Sequence, residues 1–246
     1  MKGKWVFVFF VLLSNFAFAK EIYWYAAASA TKPAQEIVKL FNEQSNETKV
    51  VLISGGSGEL LNKIVISKVG DIYSPANTKY AKLAEEKVDY KYQKLLIQTI
   101  VFGLSENGES KVNSFYDLLN KDVKVAIGNP DTMASGKTFY EVVMPKLKEE
   151  EQQKLKKNIH IDPINMSQTL NYLKTNTIDA GILYDSTSRA NKLKFIYLPK
   201  EYEVSDFYYI GITKFCSNKE EAEKFIEFVK NQKNVFTNYG FEMVVE

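Results

Sequence analysis

The chain has one cysteine and one arginine among its 246 residues. Because Cys216 stands alone, no disulfide can form within the chain, and the fold has to rest on the burial of apolar side chains. We expect Cys216 itself to be a small buried residue in or beside a strand. The lone arginine, Arg189, leaves almost no means of gripping a phosphate or carboxylate by two parallel hydrogen bonds. Any anion that binds here must therefore be held mainly by backbone N–H and hydroxyl groups.

Histidine and an excess of one charge are also scarce. The 32 basic side chains are nearly matched by 30 acidic ones and are spread along the chain, which argues against nucleic-acid binding. The single histidine, His160, lies in an alternating stretch typical of a strand, where an exposed or hydrogen-bonded histidine is expected rather than a catalytic one. One histidine and one cysteine give no zinc-ligand spacing, so no site for a free metal cation is predicted. No catalytic residue is predicted either.

The first segment of the chain, residues 1–19, is a separate unit. Lys2 and Lys4 precede an apolar run that ends in Ala17-Phe18-Ala19, which is the pattern of a secretory signal peptide cut after Ala19. Polar residues interrupt the run well short of the ~20 apolar residues that a membrane-spanning helix needs. Because no cysteine stands near the cleavage point, lipid attachment is not expected. The sequence thus predicts a soluble protein of the periplasm.

The rest of the chain alternates short β-branched segments with helical periods, which predicts an α/β fold with largely parallel sheets. After a first strand that begins near Ile22, an apolar stripe formed by Ala34, Ile37 and Phe41 predicts a helix from about Thr31. The other predicted strands are 49–53, 71–74, 96–104, 123–127, 180–184, 195–198 and 207–213, and the other predicted helices are 60–66, 80–86, 138–147 and 166–173.

Two long strands, 96–104 and 207–213, suggest a division into two lobes. If each strand passes from one lobe to the other, residues 20–98 and 208–246 form a discontinuous lobe I and residues 99–207 form lobe II. A cleft between two lobes joined by two crossover strands has the geometry for hinge closure around a ligand. The sequence therefore predicts a two-lobed α/β binding-protein fold.

Two strand-to-helix turns in the first part of the chain contain candidate ligand groups. Ala26-Ala27-Ala28-Ser29 follows the first strand and Ser54-Gly55-Gly56-Ser57-Gly58 follows the second, so each turn brings a serine to the start of a helix, where anions are favoured. For either turn alone, helix capping by the serine or positive φ at the glycines explains the residues as well. Their combination indicates one small anion held between two helix starts.

Two further turns lie in the middle of the chain. The segment Gly128-Asn129-Pro130-Asp131 leads into Ser135-Gly136-Lys137-Thr138, which matches a phosphate loop only at its end, because Asp131 stands where that loop needs its first glycine. A nucleotide site is therefore rejected. Met166 begins a predicted helix, and Tyr184 ends an apolar strand at the edge where open α/β sheets bind their ligands.

These motifs, with Gly181-Ile182-Leu183-Tyr184 and the closing Tyr239-Gly240-Phe241, resemble in order and spacing the periplasmic molybdate-binding proteins of molybdate ABC importers. The resemblance covers essentially the whole chain after residue 19. It implies a type II solute-binding protein fold with two crossover strands as the hinge, a molybdate or tungstate ligand, no cofactor, an ABC permease in the inner membrane as partner, and a monomer. It implies that the donors to the oxyanion are Ser29, Ser57, Ser135, Met166 (through its backbone N–H) and Tyr184.

A site made only of hydrogen-bond donors suits such a ligand. Molybdate and tungstate are fully ionised tetrahedral dianions at neutral pH, whereas phosphate keeps a proton that would face another donor. Sulfate has no proton but is smaller, so its hydrogen bonds in the same site would be stretched. Two alternatives stay open: the same fold binding sulfate or a small organic acid, the latter calling for Arg189 in the cleft, or, least favoured, a periplasmic enzyme.

Overall fold

The computed structural model describes residues 20–120 and 122–244, so the predicted signal peptide lies outside the described residues. The strands are β1 Lys20–Ala27, β2 Thr48–Gly55, β3 Ile72–Ser74, β4 Lys91–Leu104, β5 Val125–Ala126, β6 Ile159–Ile161, β7 Ala180–Tyr184, β8 Phe195–Tyr197, β9 Ser205–Ile212 and β10 Glu242–Met243. The α-helices are α1 Thr31–Gln44, α2 Ser57–Ser67, α3 Thr78–Val88, α4 Glu106–Glu109, α5 Asp117–Asn120, α6 Ala134–Thr138, α7 Glu149–Asn158, α8 Met166–Lys174, α9 Asp185–Ala190, α10 Lys219–Lys230 and α11 Lys233–Asn238. Within this described part, no helix has the length and hydropathy that crossing a bilayer requires.

One mixed sheet runs through the described chain in the order β2-β1-β3-β9-β4-β7-β5-β6, and β8 and β10 also pair with β4. The pairs that β1 forms with β2 and β3, and that β5 forms with β6 and β7, are parallel. All pairs of β4 and β9 are antiparallel. The prediction of largely parallel sheets is therefore right for the outer strands and wrong for the centre, because the strands that join the two ends of the sheet enter it in the opposite direction.

Strand β4 belongs to both ends of this sheet. Its residues 91–99 pair with β9, and its residues 100–104 pair with β7. We call β1, β2, β3, β9, β10 and residues 91–99 the first half-sheet, and β5, β6, β7, β8 and residues 100–104 the second half-sheet. The chain returns to the first half-sheet just before β9, where the Ile100 N–H donates to the Val204 carbonyl (3.0 Å). The two connections between the half-sheets thus lie side by side.

Each half-sheet has an aromatic core of its own. Against the first, Trp24 of β1 and Phe41 of α1 both meet Phe225 of α10 edge to face, with ring centroids 5.2 and 5.0 Å apart. Against the second, Phe102 of β4 packs between Phe115 and Phe139, with centroids 6.1 and 5.8 Å away. Since two separate sets of helices cover the two half-sheets, each can hold its shape while the connections between them bend.

Several elements depart from the bounds that the sequence predicts. The helix predicted at 138–147 begins earlier, as α6, and continues as a π-helical segment, Phe139–Val143, and a 3₁₀ turn, Met144–Lys146. Strand β5 keeps only two of the five residues predicted for it. Cys216 is buried just after β9, as predicted, and burial raises the pKa of its thiol to about 11.

Candidate ligand-binding site

A small cavity of about 10 Å³ lies between the two half-sheets at the carboxyl ends of β1, β2, β3 and β7. Every residue predicted to hold an anion lines it, and each is at most 6% exposed: Ser29, Ser57, Ser135, Met166 and Tyr184. The other lining residues are small or apolar: Ala27, Ala28, Gly55, Gly56, Ala76, Met133 and Ala134. The structure thus brings the five predicted positions together from five separate elements.

Ser29 does not cap the helix that follows it. It lies inside a 3₁₀ turn, Ala28–Ala30, and the residue at the N-cap of α1 is Ala30. Its hydroxyl is buried and has no hydrogen-bond partner. Its carbonyl accepts a hydrogen bond (3.1 Å) from the hydroxyl of Thr187 in α9, the helix that follows β7 of the second half-sheet. Helix capping therefore does not account for this serine, and its buried Oγ has no partner among the described residues.

Ser57 is the first residue of α2, and it too is used for something other than capping. The N-cap is Gly56, whose N–H donates to the Glu59 carboxylate (3.0 Å). The Ser57 oxygen accepts a hydrogen bond from the N–H of Ala76 (3.1 Å), in the loop after β3. Because one of its lone pairs is occupied in this way, the hydroxyl is oriented and its proton stays available to an acceptor.

The glycines beside Ser57 are explained by close packing across the cleft. The described glycines with positive φ are Gly70, Gly128 and Gly240, so positive φ at Gly55, Gly56 and Gly58 is excluded. A Cβ at Gly56 would collide with the carbonyls of Thr132 and Ile164, and one at Gly58 with the carbonyl of Asp131. The Gly58 N–H donates to the Thr132 carbonyl (2.9 Å). The glycines thus let the start of α2 touch the backbone of the opposite side.

Ser135 lies in the first turn of α6 and is fully buried, and its Oγ has no hydrogen-bond partner. The turn before it is tight: Gly128 has φ +106°, and a side chain at Gly136 would run into the Gly128 carbonyl. These two glycines fold the segment back on itself so that Ser135 reaches the cavity. It provides the second buried hydroxyl without a partner, after Ser29.

Met166 and Tyr184 complete the lining from α8 and β7. Met166 is the first residue of α8, and the Asn165 side chain at the N-cap accepts a hydrogen bond from the Gln168 N–H (3.1 Å). The Met166 N–H has no acceptor inside its own helix, as for any first-turn residue. The Tyr184 hydroxyl donates to the Ala76 carbonyl (2.9 Å), and burial raises its pKa well above the usual value, so it stays protonated.

The site is electrically neutral in its side chains. Among the described residues that line the cavity there is no acidic or basic side chain. Positive potential comes instead from the starts of α2 and α8 and of the helical stretch that opens with α6, whose first N–H groups point outward from the helix ends. Such a cavity can hold an anion through N–H and O–H donors without a counter-charge of its own.

Further hydrogen bonds close the two sides over the cavity. The Asn77 side chain donates to the Ala134 carbonyl (3.1 Å), and the Tyr80 hydroxyl donates to the Pro130 carbonyl (3.0 Å). At the opposite rim, the Lys32 ammonium donates to the Ala190 carbonyl (2.7 Å). The structure is thus a closed form, in which the cleft between the half-sheets is shut.

Other residues singled out in the sequence lie elsewhere. Arg189 does not line the cavity: its guanidinium contacts Asp185 (2.6 Å) and donates to the Tyr197 hydroxyl (3.0 Å). The condition for the organic-acid alternative is therefore not met. His160 is exposed on β6, as predicted. In residues 20–120 and 122–244 no group of three acidic, histidine or cysteine side chains could hold a metal ion.

The sequence reasoning missed the contribution of the loop after β3. Ala76 lines the cavity, and its peptide groups bond to both Ser57 and Tyr184. A signal was present, because this loop follows the carboxyl end of a predicted strand, where ligands bind in open α/β sheets. Alanine carries no functional group, and its contribution through the backbone cannot be read from its identity.

Two half-sheets that close over one small, buried, donor-lined cavity define a ligand-binding protein of the hinged-cleft class. The family described as bacterial extracellular solute-binding protein matches residues 22–242, and the chain belongs to that family. The predicted two-lobed α/β fold is thereby confirmed.

Individual relatives agree with this class. The chain is 28% identical over 223 residues to a putative ABC transporter substrate-binding lipoprotein, YvgL, of Bacillus subtilis, covering 88% of this chain and 84% of the relative. Among solved structures, it is similar to the periplasmic molybdate-binding protein of Azotobacter vinelandii (TM-score 0.75, 18% identity, 92% of this chain and 99% of that chain). It is also similar to the sulfate-binding protein SubI of Mycobacterium tuberculosis (TM-score 0.79, 14% identity, 92% and 87%).

Proposed function

We propose that the protein captures molybdate or tungstate in this cavity and delivers the oxyanion to the permease of an ABC importer. The observation that carries the proposal is a pair of buried hydroxyls, on Ser29 and Ser135, that have no partner inside a cavity lined by no charged side chain. Buried polar groups are normally hydrogen-bonded, so two hydroxyls without partners in one cavity indicate a missing acceptor. The name of the Bacillus relative supports the link to an ABC transporter.

The same proposal includes where the protein works and how it closes. Residues 1–19 act as a cleaved signal peptide, and the mature chain is free in the periplasm, since Cys216, the only cysteine, is remote from the cleavage point. Lobe I comprises residues 20–98 and 208–246, and lobe II residues 99–207. The side-by-side connections near Ile100 and Val204 act as the hinge, and the ligand holds the lobes in the closed form.

Charge and protonation favour a fully ionised dianion. Ser29, Ser57 and Ser135 can each donate a proton, and the helix starts add N–H groups, so four ligand oxygens can all be satisfied as acceptors. A hydrogen phosphate would bring its own proton against these donors. Molybdate and tungstate have nearly the same size and charge, so the site treats them alike.

Sulfate is the second candidate. The small cavity and the similarity to a sulfate-binding protein favour it, and it shares the charge and the absence of a proton. A site shaped for the larger molybdate would leave sulfate's hydrogen bonds long, so the two ligands should differ clearly in affinity.

The test is calorimetric titration of ligand-free mature protein with molybdate, tungstate, sulfate, phosphate and citrate. We expect molybdate and tungstate to bind with similar affinity and sulfate to bind more weakly. Phosphate and citrate should show no measurable binding. At a ligand concentration of about 100 Kd, either metal oxyanion should raise the free energy of unfolding by roughly 2.7 kcal/mol, which thermal unfolding would detect. A higher affinity for sulfate would assign the second function, and a higher affinity for citrate would contradict both.

A further inference from the structure

A single peptide unit controls two of the groups that line the cavity. The carbonyl of Ala76 accepts two hydrogen bonds, from the Tyr184 hydroxyl (2.9 Å) and from the side-chain amide of Gln98 (3.0 Å). The N–H of the same residue donates to the Ser57 hydroxyl (3.1 Å). All four residues are almost completely buried, so these contacts do not compete with water.

This arrangement decides which way each hydroxyl proton points. Ser57 receives a hydrogen bond, so its own proton is free to point at a ligand. Tyr184 gives its proton to Ala76, so its oxygen offers the cavity only a lone pair. A lone pair suits a ligand that carries a proton, such as hydrogen phosphate, and repels a fully deprotonated oxyanion. For a dianion to bind well, the Tyr184 proton has to turn away from Ala76.

Gln98 makes that turn possible. If Tyr184 released the Ala76 carbonyl and no other donor were present, a buried carbonyl would be left unpaired, which is unfavourable. Gln98 still donates to it through Nε2, so the carbonyl stays satisfied. The strand register places Gln98 and Tyr184 close together. Ile100 of β4 lies opposite Tyr184 of β7, and Gln98 is two residues from Ile100 on the same face of β4.

A second feature of Gln98 points the same way. Its Oε1 is buried without a hydrogen-bond partner, although the side chain is only 1% exposed. An apolar side chain at this position would avoid that unsatisfied atom, so the amide is unfavourable for packing alone. What the amide adds is the one hydrogen bond to the Ala76 carbonyl.

We propose that Gln98 is a positioning residue for ligand specificity: by holding the Ala76 carbonyl, it frees the Tyr184 proton for a fully deprotonated tetrahedral dianion. This inference rests on the proposed function and deepens it. It assigns the choice between deprotonated and protonated oxyanions to the contact between Gln98 and Ala76, which lies behind the cavity wall.

The test is a double-mutant cycle between Gln98 and Tyr184, read by calorimetric titration with molybdate and with phosphate. Gln98→Met keeps the side-chain volume, removes the amide donor, and also removes the unsatisfied oxygen. We expect it to weaken molybdate binding by about tenfold, the effect of one lost neutral hydrogen bond, and to leave phosphate binding unchanged or stronger. In a Tyr184→Phe background the same change should have almost no effect on molybdate, because no hydroxyl proton remains to be freed.

Controls separate this role from a structural one. Gln93→Met makes the same replacement in the same strand, away from Ala76, and should leave the molybdate affinity unchanged. If Gln98→Met does not fold by circular dichroism, Gln98→Leu repeats the cycle. If Gln98→Met lowers molybdate affinity equally in the unaltered and the Tyr184→Phe backgrounds, the proposed role of Gln98 is overturned and the proposed function is not. Failure of the unaltered protein to bind molybdate, tungstate or sulfate would overturn the proposed function, and this inference with it.

Discussion

At the residue scale, the most informative groups are buried serine hydroxyls without partners. A buried hydroxyl that makes no hydrogen bond costs roughly 1–3 kcal/mol, so each such hydroxyl calls for an explanation. Ser29 and Ser135 are of this kind and line the cavity, whereas Ser188 of α9 is equally buried and unpartnered but does not line it. The comparison between Ser29 and Ser188 therefore separates ligand binding from simple burial.

We predict that Ser29→Ala leaves the free energy of unfolding of the ligand-free protein within about 1 kcal/mol of its original value, or raises it, because no hydrogen bond is lost. Molybdate affinity should fall by about tenfold, since one donor to the oxyanion disappears. Ser188→Ala should have the same small effect on stability and none on affinity. Chemical denaturation and calorimetric titration measure the two quantities, and equal affinities for the two variants would contradict a ligand role for Ser29.

The sequence predicted the identities of these residues but not their hydrogen bonds. Serine at a strand-to-helix turn is compatible with a helix cap and with a ligand group, and local sequence does not distinguish them. At Ser29 the distinction depends on where the turn places the side chain, and at Ser57 on the N–H of Ala76 arriving from another loop. The Tyr184 proton is likewise directed by a residue that is distant in sequence.

At the element scale, the start of α2 shows how close approach overrides helix propensity. Glycine is unfavourable inside a helix, yet Gly58 lies in the first turn of α2, and Gly56 is the N-cap residue before it. A side chain at Gly56 would collide with the carbonyls of Thr132 and Ile164 on the other side of the cleft. One at Gly58 would collide with the carbonyl of Asp131, on the same side as Thr132. The sequence predicted the helix, and it left positive φ open as one explanation for the glycines at its start.

We predict that Gly56→Ala weakens ligand binding by about ten- to hundredfold, because the added methyl group collides with the opposite carbonyls only in the closed form. Gly55→Ala is the matched control: a Cβ there meets only side-chain atoms of Glu59 and Leu60 on its own side. Affinity by titration and closure by small-angle scattering, with and without molybdate, test this. Equal affinity of the two variants would show that the close approach at Gly56 is unimportant for closure.

The helix between β5 and β6 was harder to predict. Its apolar face indicated a helix from 138, but the chain turns helical at Ala134 and then widens into a π-helical segment. In that segment Glu141 pairs with Lys79 of α3 and with Lys137 (3.2 Å). A contact between distant elements thus accompanies the irregular turn, and a periodicity of 3.6 residues cannot reveal it.

At the scale of the whole molecule, four fully buried tyrosines link stability to alkaline pH. Burial raises the pKa of Tyr73, Tyr90, Tyr184 and Tyr208 above the ordinary value of 10.0. Since the folded-state pKa exceeds the unfolded one, the stabilisation is complete below pH 10 and is lost as the pH rises above it. Between neutrality and pH 9 these groups stay protonated, and the site's donors do not change.

We therefore predict that the free energy of unfolding falls above about pH 10, and that ionisation of the buried tyrosines coincides with unfolding. Tyrosinate absorbance and far-ultraviolet circular dichroism, followed in the same alkaline titration, measure the two events. Exposed tyrosines ionise first without loss of structure and provide the internal control. Ionisation of every tyrosine in a protein that keeps its native circular dichroism would refute the link.

The sequence by itself determined the α/β alternation, most strand positions and several helices, because apolar periodicity and turn motifs are local properties. Its resemblance to a known family supplied the five predicted site residues that line the cavity. Tertiary structure alone decided the antiparallel centre of the sheet, the need for glycine at 56 and 58, and the direction of each hydroxyl proton in the site. These depend on which backbone groups meet across the cleft, and residues such as Ala76 and Thr132 act there through carbonyl and N–H groups that almost every amino acid carries.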